Sequence, residues 1–438
     1  MTPLPDLLPI TPFTRPVRGG VALPGSKSIT NRALVLAALS DGTITLHGAL
    51  FSRDTQIMGD ALRILGFNIT TDEPARTLTI TGRGGRIPAG RASLHVGNAG
   101  TAARFLTALL CLREAGRYDL DSDEAMRRRP IGSLLEALRS QGTTASGPSF
   151  PFTIQTTGLP GGIVELDASE SSQLLSALLM IAPLARTPLT VRLHGGTVSR
   201  PFVDMTMRMM EQFGQPPVTV SDGSVFAVPN GTPYHLSVPE YAIEGDATAA
   251  SYFGALAIIT RGELEIAGLR LDAGALQGDA GFFRLLESRG MLHPSGRQVT
   301  AGSARRGFTA DFNSISDTFL SLAAIAPLLE GPTRITGIAH TRRQETDRVT
   351  GVARELRKLG QQVVETEDSI EIHPRPLISG VEIDTYHDHR FAMSFAILGC
   401  HDLHGNGRPW LALRDPACCA KTYPDFFDVL AALHRASH

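Results

Sequence analysis

Six times along its 438 residues the chain repeats one plan, a polar or glycine-containing start followed by a run rich in Ala and Leu. The segments are PGSKSITNRALVLAAL (24–39), GNAGTAARFLTALL (97–110), SESSQLLSALLMIAPLA (169–185), EGDATAASYFGALAII (244–259), SISDTFLSLAAIAPLL (314–329) and YHDHRFAMSFAILG (386–399). Registered on Ser28, Thr101, Ser172, Thr248, Asp317 and Arg390, they are spaced 73, 71, 76, 69 and 73 residues apart. Such a repeat constrains the fold before any single element is assigned, because every unit must bury the same kind of run. A second marker keeps the same period. A more charged, amphipathic segment follows each run, and five of these end on Gly66, Gly142, Gly214, Gly290 and Gly360, spaced 76, 72, 76 and 70. Glycine accepts the left-handed conformation that stops a helix. The segments are 52–66, 126–142, 198–214, 275–290 and 341–360, and a sixth, 421–433, closes the chain.

Each unit thus reads as an apolar helix, a short β-like stretch (TITLHG, LTVRLHG, ELEIAG, TRITG), a half-polar helix, and strands such as RTLTITG (76–82) and SIEIHP (369–374). A helix that is apolar all round must be buried on every side, while one with a polar face covers it from solvent. The repeat therefore predicts an α/β body with helices inside and sheets outside. Solenoid units usually span ~20–50 residues, so the longer period here points to globular domains built from several units.

Apolar residues make up 42% of the chain, charged residues 19%, and the formal net charge is −2. That excludes a disordered acidic tail and a basic nucleic-acid-binding surface. The longest apolar stretches, such as 174–185, fall short of the ~20 residues that cross a bilayer. Prolines and Asp6 interrupt the N-terminal segment where a signal peptide would need an apolar run. Cys111, Cys400, Cys418 and Cys419 form no C-x-x-C pair, so reduced thiols in the cytoplasm are expected. Lys27, Lys358 and Lys421 are the only lysines among 41 basic residues.

The apolar helices begin with Ser, Thr, Asn and Gly, leaving backbone N–H groups free at a positive dipole end that attracts anions. Capping by Ser28, Thr101 and Ser172 would explain the polar starts alone. It does not explain the cations beside them: Lys27, Arg32, Arg104, Arg129, Arg200, Arg348, Arg390 and Lys421. A buried cation opposes the helix dipole, and an anionic ligand carrying more than one charge reconciles the two. Gly20-x4-Gly25 has P-loop glycine spacing, but Ser26 stands where the lysine belongs and Lys27 comes one residue late. Lysine differs from Arg as a compact charge able to lose its proton, so Lys27 and Lys421 hint at proton transfer or point contact with phosphate. Asp317, at the start of the fifth apolar helix, and Glu345, at the start of the helix after it, are candidate acids or bases. Plain helix-start electrostatics would account for either equally well, and Asp54, Glu244 and Asp246 have similar claims. His387-Asp388-His389 lacks a third metal ligand at a recognisable spacing, and Cys418–Cys419 reads as packed thiols.

PGSKSITNRALVLAAL, GNAGTAARF, RRRPIGSLLEAL, SSQLLSALLM, EGDATAASYF, QETDR with ELRKLG, DHRFAM and DPACCAKTYPDFF, taken in order, resemble the 5-enolpyruvylshikimate-3-phosphate synthase family over essentially the whole chain. The resemblance implies two similar domains, each of three βαβαββ units with buried helices and outer sheets, an inside-out α/β barrel of the enolpyruvyl-transferase type. It implies that residues 22–243 form one domain and 1–21 with 244–438 the other, closing on substrate like a clamp. The implied reaction moves the enolpyruvyl group of phosphoenolpyruvate to the 5-hydroxyl of shikimate 3-phosphate and releases phosphate, in a monomer that needs no metal or organic cofactor and engages neither nucleic acid nor membrane.

The same resemblance assigns Ser171, Ser172 and Ser199 to the shikimate phosphate, Ser28 and Arg32 to the shikimate ring and carboxylate, and Gln173 to both substrates. It assigns Asn98, Gly100, Arg129, Arg348, Arg390 and Lys421 to phosphoenolpyruvate, with Lys27 between the substrates, Asp317 as base and Glu345 as proton shuttle. Gly100 leaves room beside phosphoenolpyruvate, which implies sensitivity to glyphosate. The sequence departs from the family pattern at Gln344, often lysine, at His340, often asparagine, and at Phe105, commonly proline; the roles of His340 and Gln344 at shikimate 3-phosphate are the ones this touches. UDP-N-acetylglucosamine enolpyruvyl transferase shares the fold and donor, but its loop cysteine is missing from 114–130. An inactive anion-binding paralogue is the other alternative, and intact Lys27, Asp317, Glu345 and Lys421 argue against it.

Overall fold

A computed structural model describes residues 4–195 and 199–437; Val198, the first residue of the third amphipathic segment, lies outside them. The chain divides into two compact units, Gly25–Ile243 and the residues up to Pro24 joined with those from Glu244 onward. Each of the six apolar segments contains a helix buried along nearly all its length: Lys27–Leu39, Gly100–Leu110, Ser172–Ile181, Ala247–Thr260, Phe319–Ile325 and His389–Gly399. The amphipathic helices are Arg53–Ile64, Gly132–Ser140, Arg200–Gln212, Gly281–Ser288, Arg348–Lys358 and Phe426–Ala436, each burying one face. Among the described residues, no helix is long and apolar enough to cross a membrane.

The stops fall where glycine permits them. Gly66, Gly142, Gly214, Gly290 and Gly360 have φ of 91°, 88°, 86°, 66° and 84°, which side chains with a Cβ rarely adopt. The helix starts are less regular than the repeat suggests. The 126–142 segment breaks at Pro130 into Glu124–Arg127 and Gly132–Ser140, since proline removes a donor and clashes with the preceding turn. Asp317 lies in a 3₁₀ turn, Asn313–Thr318, ahead of the Phe319 helix rather than within it. Glu345 lies between the 3₁₀ turn Ala339–Arg343 and the helix that starts at Arg348.

Among the described residues, six small sheets cover the inner helices. Typical is Arg91–His95, parallel to Gly116–Asp121, which runs antiparallel to Phe152–Thr156, followed by Thr144–Ala145. The parallel pair brackets the inner helix Gly100–Leu110, and the antiparallel strand returns after the outer helix, so the unit reads βαβαββ. Two strands complete sheets far from their own sequence neighbours. Gly20–Ala22 pairs parallel with Glu263–Ala267, and Glu240–Ala242 pairs parallel with Thr43–His47. Leu7–Pro9 likewise closes the sheet of the last unit against Leu411–Arg414.

Leu256 has no exposed surface in the Ala247–Thr260 helix. Leu256→Ala is expected to cost about 2–5 kcal/mol, read as a lowered denaturant midpoint; a loss near zero would show that this helix is not enclosed.

Candidate active site

In the Gly25–Ile243 unit the starts of three inner helices share polar contacts. Arg32 is buried, and its Nε donates to Thr206 Oγ1 at 2.7 Å, its Nη1 to Ser28 O at 3.0 Å, and its Nη2 to Phe202 O at 3.1 Å and Ser176 Oγ at 3.3 Å. The guanidinium also lies 5.2 Å from the centroid of the Phe105 ring. All these partners are neutral, and burial pulls the Arg32 pKa down from its usual range. Lys27 Nζ stands 3.5 Å from Asp54 Oδ2. Arg104 Nη1 donates to Gly100 O and to Gln173 Oε1, both at 3.1 Å, and Arg104 Nη2 to Pro130 O at 2.6 Å.

Arg129 Nη1 reaches Asn98 Oδ1 at 3.5 Å, while its buried Nε has no hydrogen-bond partner among the described residues. A Cβ on Gly100 would stand 2.6 Å from Arg104 Nη1 and 2.7 Å from Arg129 Nη2, so the missing side chain is what lets two guanidiniums approach that loop. Ser171 caps its helix by accepting from Gln173 N at 3.3 Å, and Ser172 opens the helix almost buried. Ser199 is the N-cap of Arg200–Gln212 in the left-handed region, φ 51°. Arg200 leaves the cluster, with Nε 2.8 Å from Asp204 Oδ1 and its guanidinium over Phe226.

In the other unit, cations and carboxylates alternate. Arg348 donates from Nε to Asp388 Oδ2 at 2.7 Å, from Nη2 to Glu345 Oε2 at 2.8 Å, and from Nη1 to Asp317 Oδ1 at 3.3 Å. It also donates to the Gln344 side-chain oxygen. Glu345 Oε1 accepts from Lys421 Nζ at 2.9 Å. Arg390 donates to Asp317 Oδ2 and, at 3.4 Å, to Tyr252 Oη, while its buried Nε has no hydrogen-bond partner among the described residues. Each of Asp317 and Glu345 is therefore held by two cations. Burial opposes the charges of Arg348 and Arg390, but the surrounding carboxylates more than offset it and raise both pKa values. His340 Nε2 lies 2.8 Å from Ser316 Oγ, and burial lowers its pKa against the pull of Asp317.

Four contributing residues escape a reading of the sequence alone. Asp388 lies inside the His-Asp-His run, yet it caps the His389–Gly399 helix by accepting from Arg390 N at 2.9 Å and pairs with Arg348. Among the described residues no group of three His, Cys, Asp or Glu side chains could hold a metal. Thr206 and Ser176 hold Arg32 from 174 and 144 residues away; only the polar residues inside otherwise apolar helix faces hinted at them. Asp279 is buried and accepts from Thr248 Oγ1 at 2.6 Å. Burial first, then the nearby charge of Asp317, push its pKa up to about 7.

Residues 13–430 match the profile of the family described as EPSP synthase (3-phosphoshikimate 1-carboxyvinyltransferase). A 3-phosphoshikimate 1-carboxyvinyltransferase from Opitutus terrae is 55% identical, covering 99% of this chain and 99% of its own. One from Nostoc punctiforme is 41% identical over 96% of this chain and 98% of its own. The solved EPSP synthase from Acinetobacter baumannii superposes with a TM-score of 0.79 at 24% identity, covering 98% of both chains, which shows that the fold is shared.

Asp279 makes stability depend on pH. The folded protein holds its proton up to about pH 7, whereas the unfolded chain releases it near pH ~3.9, so this group lowers stability as pH rises through that window. Denaturant midpoints measured between those limits should fall less steeply for Asp279→Asn than for the parent; parallel curves would contradict the assignment.

Proposed function

The chain belongs to the EPSP synthase family, and from that premise we propose that it transfers the enolpyruvyl group of phosphoenolpyruvate to the 5-hydroxyl of shikimate 3-phosphate, releasing phosphate. The observation that carries this reading at the level of residues is the pair Asp317 and Glu345, each shared between two of the cations Arg348, Arg390 and Lys421. Phosphoenolpyruvate brings a phosphate and a carboxylate, which guanidinium forks and a lysine suit.

Arg348, Arg390 and Lys421, with Arg129, Asn98 and Gly100, hold that substrate. Ser28 and Arg32 take the shikimate ring and carboxylate, while Ser171, Ser172 and Ser199 take its phosphate. Gln173 and Lys27 serve both substrates. His340 and Gln344 face shikimate 3-phosphate, Gln344 through the amide N–H₂ that its bond to Arg348 leaves available. Residues 22–243 are mainly the shikimate 3-phosphate side, and the remainder supplies much of the phosphoenolpyruvate side.

An arriving anion competes with Asp317 and Glu345 for their cations. A carboxylate that loses a positive partner holds a proton more readily, so substrate binding itself readies the two acids. Glu345 then delivers a proton to the methylene carbon of phosphoenolpyruvate, making it a methyl group. The 5-oxygen bonds to the neighbouring carbon while its proton passes to Asp317. The resulting tetrahedral phospho-ketal returns a methyl proton to Glu345 as the carbon–oxygen bond to phosphate breaks, and the departing phosphate takes up the proton that Asp317 gained. Lys27 and Lys421 stabilise the charge that moves between these states.

Purified protein should release phosphate from phosphoenolpyruvate only when shikimate 3-phosphate is present; equal release without it would end this reading. Glu345→Gln and Asp317→Ala should each lower kcat by about 10²–10⁴-fold, with KM far less affected, and unchanged kcat in both would remove their roles. Gly100→Ala, by displacing Arg129, should raise KM for phosphoenolpyruvate about ten- to a hundredfold; an unchanged KM would separate that loop from the substrate.

A further inference from the structure

Two consecutive non-glycine residues, Tyr386 and His387, have φ of 55° and 56°, in the left-handed region that is unfavourable for any residue with a Cβ. They stand directly before Asp388, which both caps the His389–Gly399 helix and bonds Arg348. Such a backbone persists only where its surroundings hold it, and the holding contacts are visible. Tyr386 Oη donates to Oε1 of Glu355, a carboxylate with no exposed surface. Oε2 of Glu355 accepts from Asp384 N at 3.1 Å and lies 2.7 Å from Lys358 Nζ.

The Tyr386 ring meets Phe391 edge-on with centroids 5.2 Å apart, and Gly351 leaves space for this pair, since a Cβ there would stand 2.7 Å from Phe391 Cζ. Thr385 Oγ1 anchors the other side of the turn on the carbonyls of Arg414 and Asp415 at 2.9 and 3.2 Å. Burial first, then the bond to Glu355 and its charge, hold the Tyr386 pKa above its ordinary value, so the phenol stays a donor. The Arg348–Lys358 helix thus grips the turn twice, through Arg348 on Asp388 and, two turns later, through Glu355 on Tyr386. A fully buried carboxylate is a cost to folding that an apolar pair would avoid. The return lies in where the turn places Asp388.

We infer that Tyr386 and Glu355 are positioning residues, whose hydrogen bond holds the left-handed turn so that Asp388 can cap its helix and bond Arg348 at once, fixing the guanidiniums of Arg348 and Arg390 for an anionic substrate. The inference rests on the assignment of those two arginines to phosphoenolpyruvate and adds a pair that touches no substrate. Tyr386→Phe removes one oxygen atom and should raise KM for phosphoenolpyruvate about tenfold, while kcat stays within about two-fold.

A crystal structure of Tyr386→Phe should show the turn relaxed and Asp388 drawn away from Arg348. An unchanged KM with the Asp388–Arg348 bond intact would overturn the inference, however far the melting temperature had fallen, because a merely structural role predicts that outcome. If the parent protein released no phosphate, the proposed function would fail, and the crystal structure would decide this inference alone: a displaced Asp388 supports it and an unmoved one overturns it.

Discussion

An α-helix without a polar face has to be enclosed on every side, so a chain that makes six of them leaves only their ends free for chemistry. The rest of the structure follows from that restriction. Among the described residues, six sheets and six half-polar helices supply the enclosure, and the polar groups at the helix starts must find partners inside the protein. They find them on one another. Arg32 reaches Ser176, Arg104 reaches Gln173, and Ser251 lies 2.7 Å from Ser321. Each of these bonds joins two inner helices of the same unit, so the contacts that satisfy buried polar groups also set the spacing of the helix ends.

The two units meet the problem of buried cations differently. Arg32 is held by hydroxyls, carbonyls and an aromatic ring, all neutral, so an arriving anion finds its charge uncompensated. Arg348, Arg390 and Lys421 are held by Asp317, Glu345 and Asp388, so an anion there must displace carboxylates from their partners. The first arrangement suits binding. Under the proposed function, the second would convert binding into a change of proton affinity at Asp317 and Glu345, as a reaction that moves protons on and off carbon requires.

The architecture was largely legible because it rests on hydrophobic period and on glycine stops, both local properties of sequence. Gly66, Gly142, Gly214, Gly290 and Gly360 mark helix ends in the order and conformation expected. The cations and acids around helix starts were legible as residue types, and the structure brings Asp317, Glu345, Arg348, Arg390 and Lys421 into one network. What could not be read was contact across long separations. Nothing near Arg32 announces Thr206, and nothing near Asp388 distinguishes a helix cap bonded to Arg348 from one arm of a metal site. The helix starts at Asp317 and Glu345 were misplaced because 3₁₀ turns stand before the regular helices there, a choice set by packing rather than by propensity.

The central claim is that Glu345 protonates carbon while Asp317 deprotonates the attacking hydroxyl, so that the methylene of phosphoenolpyruvate becomes a methyl group before phosphate leaves. Running the reaction in deuterium oxide and following the methylene signals by proton NMR tests this directly. Deuterium should appear in the vinyl methylene of the product, and Glu345→Gln should slow its appearance together with phosphate release. A product formed at the full rate with no deuterium on that carbon would contradict the claim.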